Sequence, residues 1–345
     1  MAGPGARESG GLRLPERISA ARRPTPVEPL RRAGARLGID LYVKRDDLTG
    51  FELGGNKVRK LEFSLARALA EGADTVLTCG GFDSNHCRAT AFLARRLGLE
   101  PHLLLRTPDG RPAARPGGNT LLDAIAGAVI TWVTPEEYRS GEAMLRSHRE
   151  RIERGGRRVF AVPEGASDPL GALGFAAAAE ELALEERELG RPFDTVVHAV
   201  GSGGTSAGLA AGRDQLARPW RILGVPVCDD GAYFEAKVSR IREGLAREFG
   251  LPPTGEARAA RDRFLDGSVG RGYGLSTPEE LRSYAELARS EGLLLDPCYT
   301  GKAWRGLERA VEDGTIRPGE RVLFWHTGGA FANFTQADEW RAALE

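Results

Sequence analysis

The segment Thr195-Val196-Val197-His198-Ala199-Val200 is β-branched and almost wholly apolar, and it passes directly into Gly201-Ser202-Gly203-Gly204-Thr205-Ser206-Ala207-Gly208. A strand without polar alternation is buried on both faces, as a parallel strand covered by helices is. The same order of apolar strand, turn and helix recurs along the chain. Further strands are expected at 40–44, 75–78, 101–106, Val129–Val133, 159–162, 222–225 and 322–326. Helices are expected over 28–37, 61–69, 87–97, 120–126, 135–154, up to residue 188, 234–248, Pro278–Glu291 and 304–311. This alternation predicts an α/β protein with mainly parallel sheets flanked by helices.

Backbone N–H groups of a glycine turn at a helix start bind phosphate. The 201–208 loop lacks the Gly-Lys-Ser/Thr of a phosphate-transferring loop, and Ser206 occupies the third glycine position of the dinucleotide fingerprint. It reads as a phosphate handle, or as a tight strand–helix turn with no ligand. A second glycine loop, Gly54-Gly55-Asn56-Lys57, follows the acidic turn at 45–50. A lysine at a helix start opposes the helix dipole by a few tenths up to about 1 kcal/mol. The chain has only five lysines, Lys44, Lys57, Lys60, Lys237 and Lys302, and two of them, Lys57 and Lys60, lie within 54–62. An amine that must shed its proton and attack a carbonyl has to be lysine, since arginine stays charged. A phosphate site without a lysine of its own, plus a reactive lysine elsewhere, suits pyridoxal 5'-phosphate.

Composition sets the outer bounds. At 345 residues the chain suggests two domains of roughly 150 residues each. Its 48 basic and 48 acidic residues give no net field toward nucleic acid or an anionic membrane. No apolar run reaches the roughly 18 residues that span a bilayer. The N-terminus has no apolar signal core, so a cytoplasmic protein is expected. Cys79, Cys87, Cys228 and Cys298 form no CxxC pair, so free thiols and no metal site are expected. Residues 1–14, rich in Gly, Arg and Pro, read as a disordered tail.

Taken together, the motifs resemble the fold-type II (tryptophan synthase β-like) pyridoxal-phosphate enzymes. The family is that of the 1-aminocyclopropane-1-carboxylate deaminases and D-cysteine desulfhydrases. The resemblance is carried by Val43-Lys44-Arg45-Asp46-Asp47-Leu48-Thr49-Gly50 through Glu62, by Gly80-Gly81 with Ser84-Asn85-His86-Cys87-Arg88, and by the 201–208 loop. Val227-Cys228-Asp229-Asp230, Gly272-Tyr273, Asp296-Pro297 with Tyr299-Thr300-Gly301-Lys302, and His326-Thr327-Gly328-Gly329 complete it.

The resemblance implies a large cofactor-binding domain, 15–59 plus 161–345, and a small domain, 60–160. It implies Lys57 as the Schiff-base lysine, Lys60 as a phosphate contact, and Ser202, Gly203, Gly204 and Thr205 as the phosphate cradle. Asn85 would face the cofactor's phenolic oxygen. Ser84, Asn85 and His86 would form the substrate-carboxylate loop, with Ser84, Tyr273 and Tyr299 catalytic and Thr300 beside the pyridine nitrogen. Without the resemblance, Ser84 and Asn85 read equally as a helix cap and the two tyrosines as half-buried core residues. His86 alone reads as structural, and Asp229-Asp230 as a turn or cap.

Thr300, His86 and Thr327 match the desulfhydrase type, where deaminase-type members tend to carry Glu, Gln and Leu. The expected activity is α,β-elimination from a β-substituted small amino acid, D-cysteine first, giving pyruvate, ammonia and hydrogen sulfide. 1-Aminocyclopropane-1-carboxylate deamination, or elimination from another such amino acid, is the alternative. A homodimer is expected from the resemblance. The chain departs from the family pattern at Phe82-Asp83 and at Pro163-Glu164-Gly165-Ala166-Ser167. Asp83 could bring a charge beside the substrate loop, or point away and cap.

Overall fold

The computed structural model describes residues 11–50, 52–112, 117–252, 255 and 259–345. Among these, ten strands form two sheets. They are β1 Val27–Pro29, β2 Asp40–Arg45, β3 Thr75–Gly81, β4 Glu100–Arg106, β5 Val129–Val133, β6 Val159–Ala161, β7 Thr195–Val200, β8 Arg221–Pro226, β9 Arg263–Phe264 and β10 Arg321–His326. The large sheet runs β1-β2-β10-β7-β8-β9 and the small one β5-β4-β3-β6. Every pairing is parallel except β1 with β2.

That antiparallel edge replaces the start of the helix expected over 28–37. Pro29 holds Glu28 in the extended region and is tolerated only where a strand is an edge. The helix begins two residues later, at Arg31–Leu37. The single helix expected over 135–154 is two, Pro135–Arg139 and Glu142–Glu153, because Gly141 takes φ 52° between them. Thr134 and Thr277 each close a capping box, and Gly292 at φ 70° stops Pro278–Glu291.

β7 is buried at all its positions. On one face it meets Leu281, Tyr284, Trp304 and Leu307 from Pro278–Glu291 and Thr300–Glu312. On the other, Phe175 and Leu182 of Pro169–Glu188 pack with Leu209, Trp220 and Trp325. Three helices then meet almost backbone to backbone. A Cβ added at Gly174 would lie 2.3 Å from Arg59 O of the helix Lys57–Ala70. One at Gly208, in the helix Gly204–Gln215, would lie 2.1 Å from Ala172 O, and one at Gly212 would lie 2.7 Å from Ala176 O.

Of the tail expected over 1–14, residues 1–10 lie outside the described residues. Leu12 and Leu14 are half-buried against the cluster around Phe63 and Leu173, and Leu12 N donates to Glu180 Oε1 at 2.9 Å. Ordered packing therefore begins inside the stretch read as a tail. The C-terminal ends of β2, β3, β7 and β10 turn toward one cleft between the sheets, the usual place for a ligand in such folds.

Candidate active site

The lysine loop is tied down at both ends. Gly55, at φ 117°, passes so close to β10 that an added Cβ would lie 2.9 Å from Thr327 O, and Asn56 N donates to the same oxygen at 3.0 Å. Arg59, buried, donates to Asp46 at 2.8 and 2.9 Å and to Glu181 at 2.9 Å. Lys44 is spent in the same network, on Glu181 and Glu185 at 2.7 and 2.6 Å. Lys57 alone has no hydrogen bond or ion pair among the described residues. Burial pulls its ammonium pKa down to about 8, opposed by Glu164 and helped by Lys237.

Lys60 stands one turn further along. Its Nζ donates to Gly165 O at 3.2 Å and Ser167 Oγ at 3.1 Å, and burial with the nearby Lys57 charge pushes its pKa well down. Ser167 Oγ also meets Ser202 Oγ at 2.7 Å and accepts from Gly204 N at 3.2 Å. A Cβ at Gly204 would come within 2.7 Å of both Lys60 Nζ and Ser167 Oγ. Gly203 differs: φ 85° demands glycine, but its Cβ would face Val238 and Lys237, away from Lys60. Asn56 Nδ2 donates to Thr205 Oγ1 at 3.2 Å.

An inner pocket is lined by Asn56, Lys57, Asn85, Ser202, Gly203, Thr205, Tyr299 and Thr327, with Ala199, Val200, Gly201 and Ser206. Among the described residues no acidic side chain lines it. Gly201 and Tyr299 also line an outer cleft of about 680 Å³ that carries Tyr273, Tyr138, Glu164 and Lys237. Tyr273 and Tyr299 touch hydroxyl to hydroxyl, ring centroids 5.5 Å apart at 80°. Burial pushes both phenol pKa values well up, so both stay protonated.

Five of the expected residues line neither space: Lys60 and Gly204, described above, and Ser84, His86 and Thr300. Ser84 caps the helix Asn85–Arg96, its Oγ accepting from Cys87 N at 3.3 Å. His86 Nε2 lies 2.7 Å from Thr78 Oγ1, whose proton goes to Val162 O. His86 must therefore donate from Nε2, which leaves Nδ1 an unprotonated, buried acceptor without a partner. Burial and the two lysines lower its pKa well below the usual range. Thr300 is fully buried at the start of Thr300–Glu312. Its hydroxyl donates to Asp296 Oδ1 at 2.6 Å and accepts from Asp296 N at 2.8 Å. Asp296 also accepts from the backbone N–H groups of Cys298, Tyr299 and Thr300.

A family profile described as pyridoxal-phosphate dependent enzyme matches residues 18–328. A curated relative in Thermotoga maritima, a putative 1-aminocyclopropane-1-carboxylate deaminase, is 42% identical over 322 residues, covering 93% of this chain and 98% of its own. Another in Arabidopsis thaliana is 39% identical over 332 residues, covering 93% of this chain and 80% of its own. Its name is bifunctional D-cysteine desulfhydrase/1-aminocyclopropane-1-carboxylate deaminase, mitochondrial. The chain belongs to this pyridoxal-phosphate-dependent deaminase/desulfhydrase family.

A solved structure of an ACC deaminase homologue superposes with a TM-score of 0.84 at 34% identity, covering 95% of this chain and 96% of that one. Threonine deaminase isoform 2 of Solanum lycopersicum, at 19% identity and TM-score 0.63 over 92% and 82% of the two chains, shares the fold. The family's cofactor fits what the pocket offers: a partnerless amine at Lys57, and a glycine turn that a Cβ at Gly204 would block.

Sequence reasoning missed Ser167, Asn119 and Asp296. In the sequence Ser167 is only the end of the divergent 163–167 motif. Asp83 does not face the pocket: its Oδ1 accepts from Asn119 N at 2.6 Å and its Oδ2 from Thr335 Oγ1 at 3.0 Å. Asp230 is the cap of Gly231–Phe249, accepting from Tyr233 N at 2.8 Å. Burial raises the Cys79 thiol pKa to about 12 and those of Cys87 and Cys298 well up. Among the described residues no helix is long and apolar enough to cross a membrane, and no His/Cys/Asp/Glu group could hold a metal ion.

Proposed function

We propose that this enzyme performs α,β-elimination on β-substituted small amino acids, with D-cysteine the first candidate. The observation that carries the reading is the lack of any free carboxylate on the inner pocket. Asp296, just before Tyr299, is committed to its own turn, and Glu164 on the outer cleft accepts from the Tyr138 hydroxyl. Bound pyridoxal phosphate supplies an electron sink for the pair left at Cα. Without a carboxylate beside the ring that sink is weaker, which suits a reaction whose leaving group departs at once. Opening a cyclopropane asks for more.

In this reading Lys57 holds the cofactor and then takes the Cα proton, its lowered pKa making it a base near neutral pH. Ser202 to Thr205, with Lys60 and Ser167, hold the phosphate. Ser84, Asn85 and His86 begin a helix whose positive end attracts the substrate carboxylate. Tyr273 and Tyr299, both protonated, attend the departing group. The C–S bond breaks with its pair on sulfur, hydrogen sulfide leaves, and water releases pyruvate and ammonia. The unmodified protein should release sulfide from D-cysteine faster than it forms keto acid from 1-aminocyclopropane-1-carboxylate. The reverse order of rates, measured on one preparation, hands the assignment to ring opening, the activity named for the Thermotoga maritima relative.

The Lys57 pKa gives a second test. Capture of the cofactor needs the neutral amine. With its pKa at about 8 the capture rate should climb about tenfold per pH unit below that value and flatten above it. A rate still climbing steeply at about pH 10, near the ordinary lysine pKa, contradicts a buried Lys57 amine. A cytoplasmic two-fold homodimer belongs to the same reading on family grounds and base rates. A monomeric mass by light scattering at micromolar concentration argues against the dimer.

A further inference from the structure

We propose that Asn119 is a positioning residue that fixes the Asn85 amide with its NH2 group turned into the inner pocket. The pocket then offers a hydrogen-bond donor at that point, never an acceptor.

An amide side chain has two ends of nearly equal shape, and only its partners decide which end faces where. Asn119 is fully buried on the first turn of the helix Gly118–Ile125. One end of its amide lies 2.8 Å from the backbone carbonyl oxygen of Asp83. A carbonyl only accepts, so that end is the NH2 group. The same nitrogen lies 3.0 Å from the Asn85 side chain. Its second hydrogen goes there, so the Asn85 atom that receives it is the oxygen. The Asn85 nitrogen is left pointing the other way. It has no partner among the described residues, and Asn85 lines the pocket beside Lys57, Ser202 and Thr205.

Asn119 is itself held. Its backbone N–H donates to Asp83 Oδ1 at 2.6 Å, and Asp83 Oδ2 takes the Thr335 hydroxyl at 3.0 Å. Thr335, Asp83, Asn119 and Asn85 form one chain of hydrogen bonds from the C-terminal segment to the pocket. This gives Asp83, where the chain departs from its family's pattern, a part to play in the site. A residue needed only to start a helix could be Ser or Asp. Asn119 instead leaves its Oδ1 buried without a partner, a cost that a plain cap avoids. Asn85 is also the first residue of Asn85–Arg96, where the helix dipole favours a negative ligand atom. A donor at this place selects an anionic oxygen, which the phenolate of pyridoxal phosphate supplies.

The proposal rests on Asn85 being a cofactor neighbour, and the test separates the two. The full-length chain is stripped of cofactor and titrated with pyridoxal phosphate, as parent, Asn119→Ala and Asn119→Asp. The Asp variant sets an oxygen against Asp83 O and Asn85 Oδ1 and should turn the Asn85 oxygen into the pocket. Affinity should fall about tenfold, and the pH midpoint of the visible band should move upward as the phenolate loses its donor. Asn119→Ala should lose several-fold, and it carries the test should the Asp variant not fold. With 3-deoxypyridoxal phosphate, which lacks the phenolic oxygen, parent and variants should bind alike. Parental affinity and band midpoint in a folded variant overturn the role of Asn119. An equal loss with both ligands in every variant overturns the Asn85 contact, and a parent that binds neither ligand overturns the cofactor reading beneath it.

Discussion

Lys57→Ala should lower turnover by more than about 10⁴-fold, because in the proposed reading Lys57 is both the attachment point of the cofactor and the base that takes the Cα proton. The visible band should disappear on dialysis. The fold should not suffer. Lys57 makes no hydrogen bond or ion pair, and its burial penalises the charged form, so alanine removes an uncompensated cost and nothing that binds the loop. The loop is held by Arg59, Asp46 and Thr327, which the change leaves alone. Keto-acid release, the absorption spectrum after dialysis and the melting temperature together decide the matter. A variant that keeps its colour after dialysis removes Lys57 from its assigned role.

Thr300→Glu should unfold the region before it changes the chemistry. Thr300 is fully buried, and its hydroxyl is closed into a ring with Asp296. A glutamate there sets a second carboxylate against Asp296, whose own pKa burial already raises. Leaving a buried charge without compensation costs roughly 3–5 kcal/mol, which in a chain of this size lowers the melting temperature by on the order of 10 °C. Thr300→Ser keeps the ring and should stay within about 1 kcal/mol of the parent. A Thr300→Glu protein as stable as the parent means that the glutamate has found the cofactor ring. In that case the specificity argument from Thr300 stands without the Asp296 constraint.

The parallel strands were legible because their signal is local. Val129–Val133 and Thr195–Val200 are runs whose apolar character alone states that both faces are covered. Pro278–Glu291 announced both of its ends with Thr277, Pro278 and Gly292. β1 and β9 were not legible, being three- and two-residue edge strands that exist only because a neighbour offers a free edge. The 135–154 helix was read too long because periodicity passes over Gly141, while its φ of 52° does not. Lys57, Lys60 and the glycine turn announced themselves by residue type. The direction of each side chain did not. Gly203 and Gly204 are adjacent, yet only one would put a Cβ beside Lys60. Thr300 matches the desulfhydrase type by residue identity alone, whereas its hydroxyl is held by a carboxylate four residues earlier. Asn119 and Ser167 lie 34 and 35 residues from the partners they orient, Asn85 and Ser202, and no sequence pattern carries that information.

The backbone contacts at Gly174, Gly208 and Gly212 have a kinematic consequence. Lys57 heads one of the three helices they join, and the 201–203 glycine turn heads another. Where two backbones touch with no side chain between them, there is nothing to slide or to re-pack. The amine and the glycine turn therefore travel as one casting. A hinge movement between the two sheets can widen or narrow the cleft, but it cannot change the span between the two points that, in the proposed reading, would grip opposite ends of the cofactor.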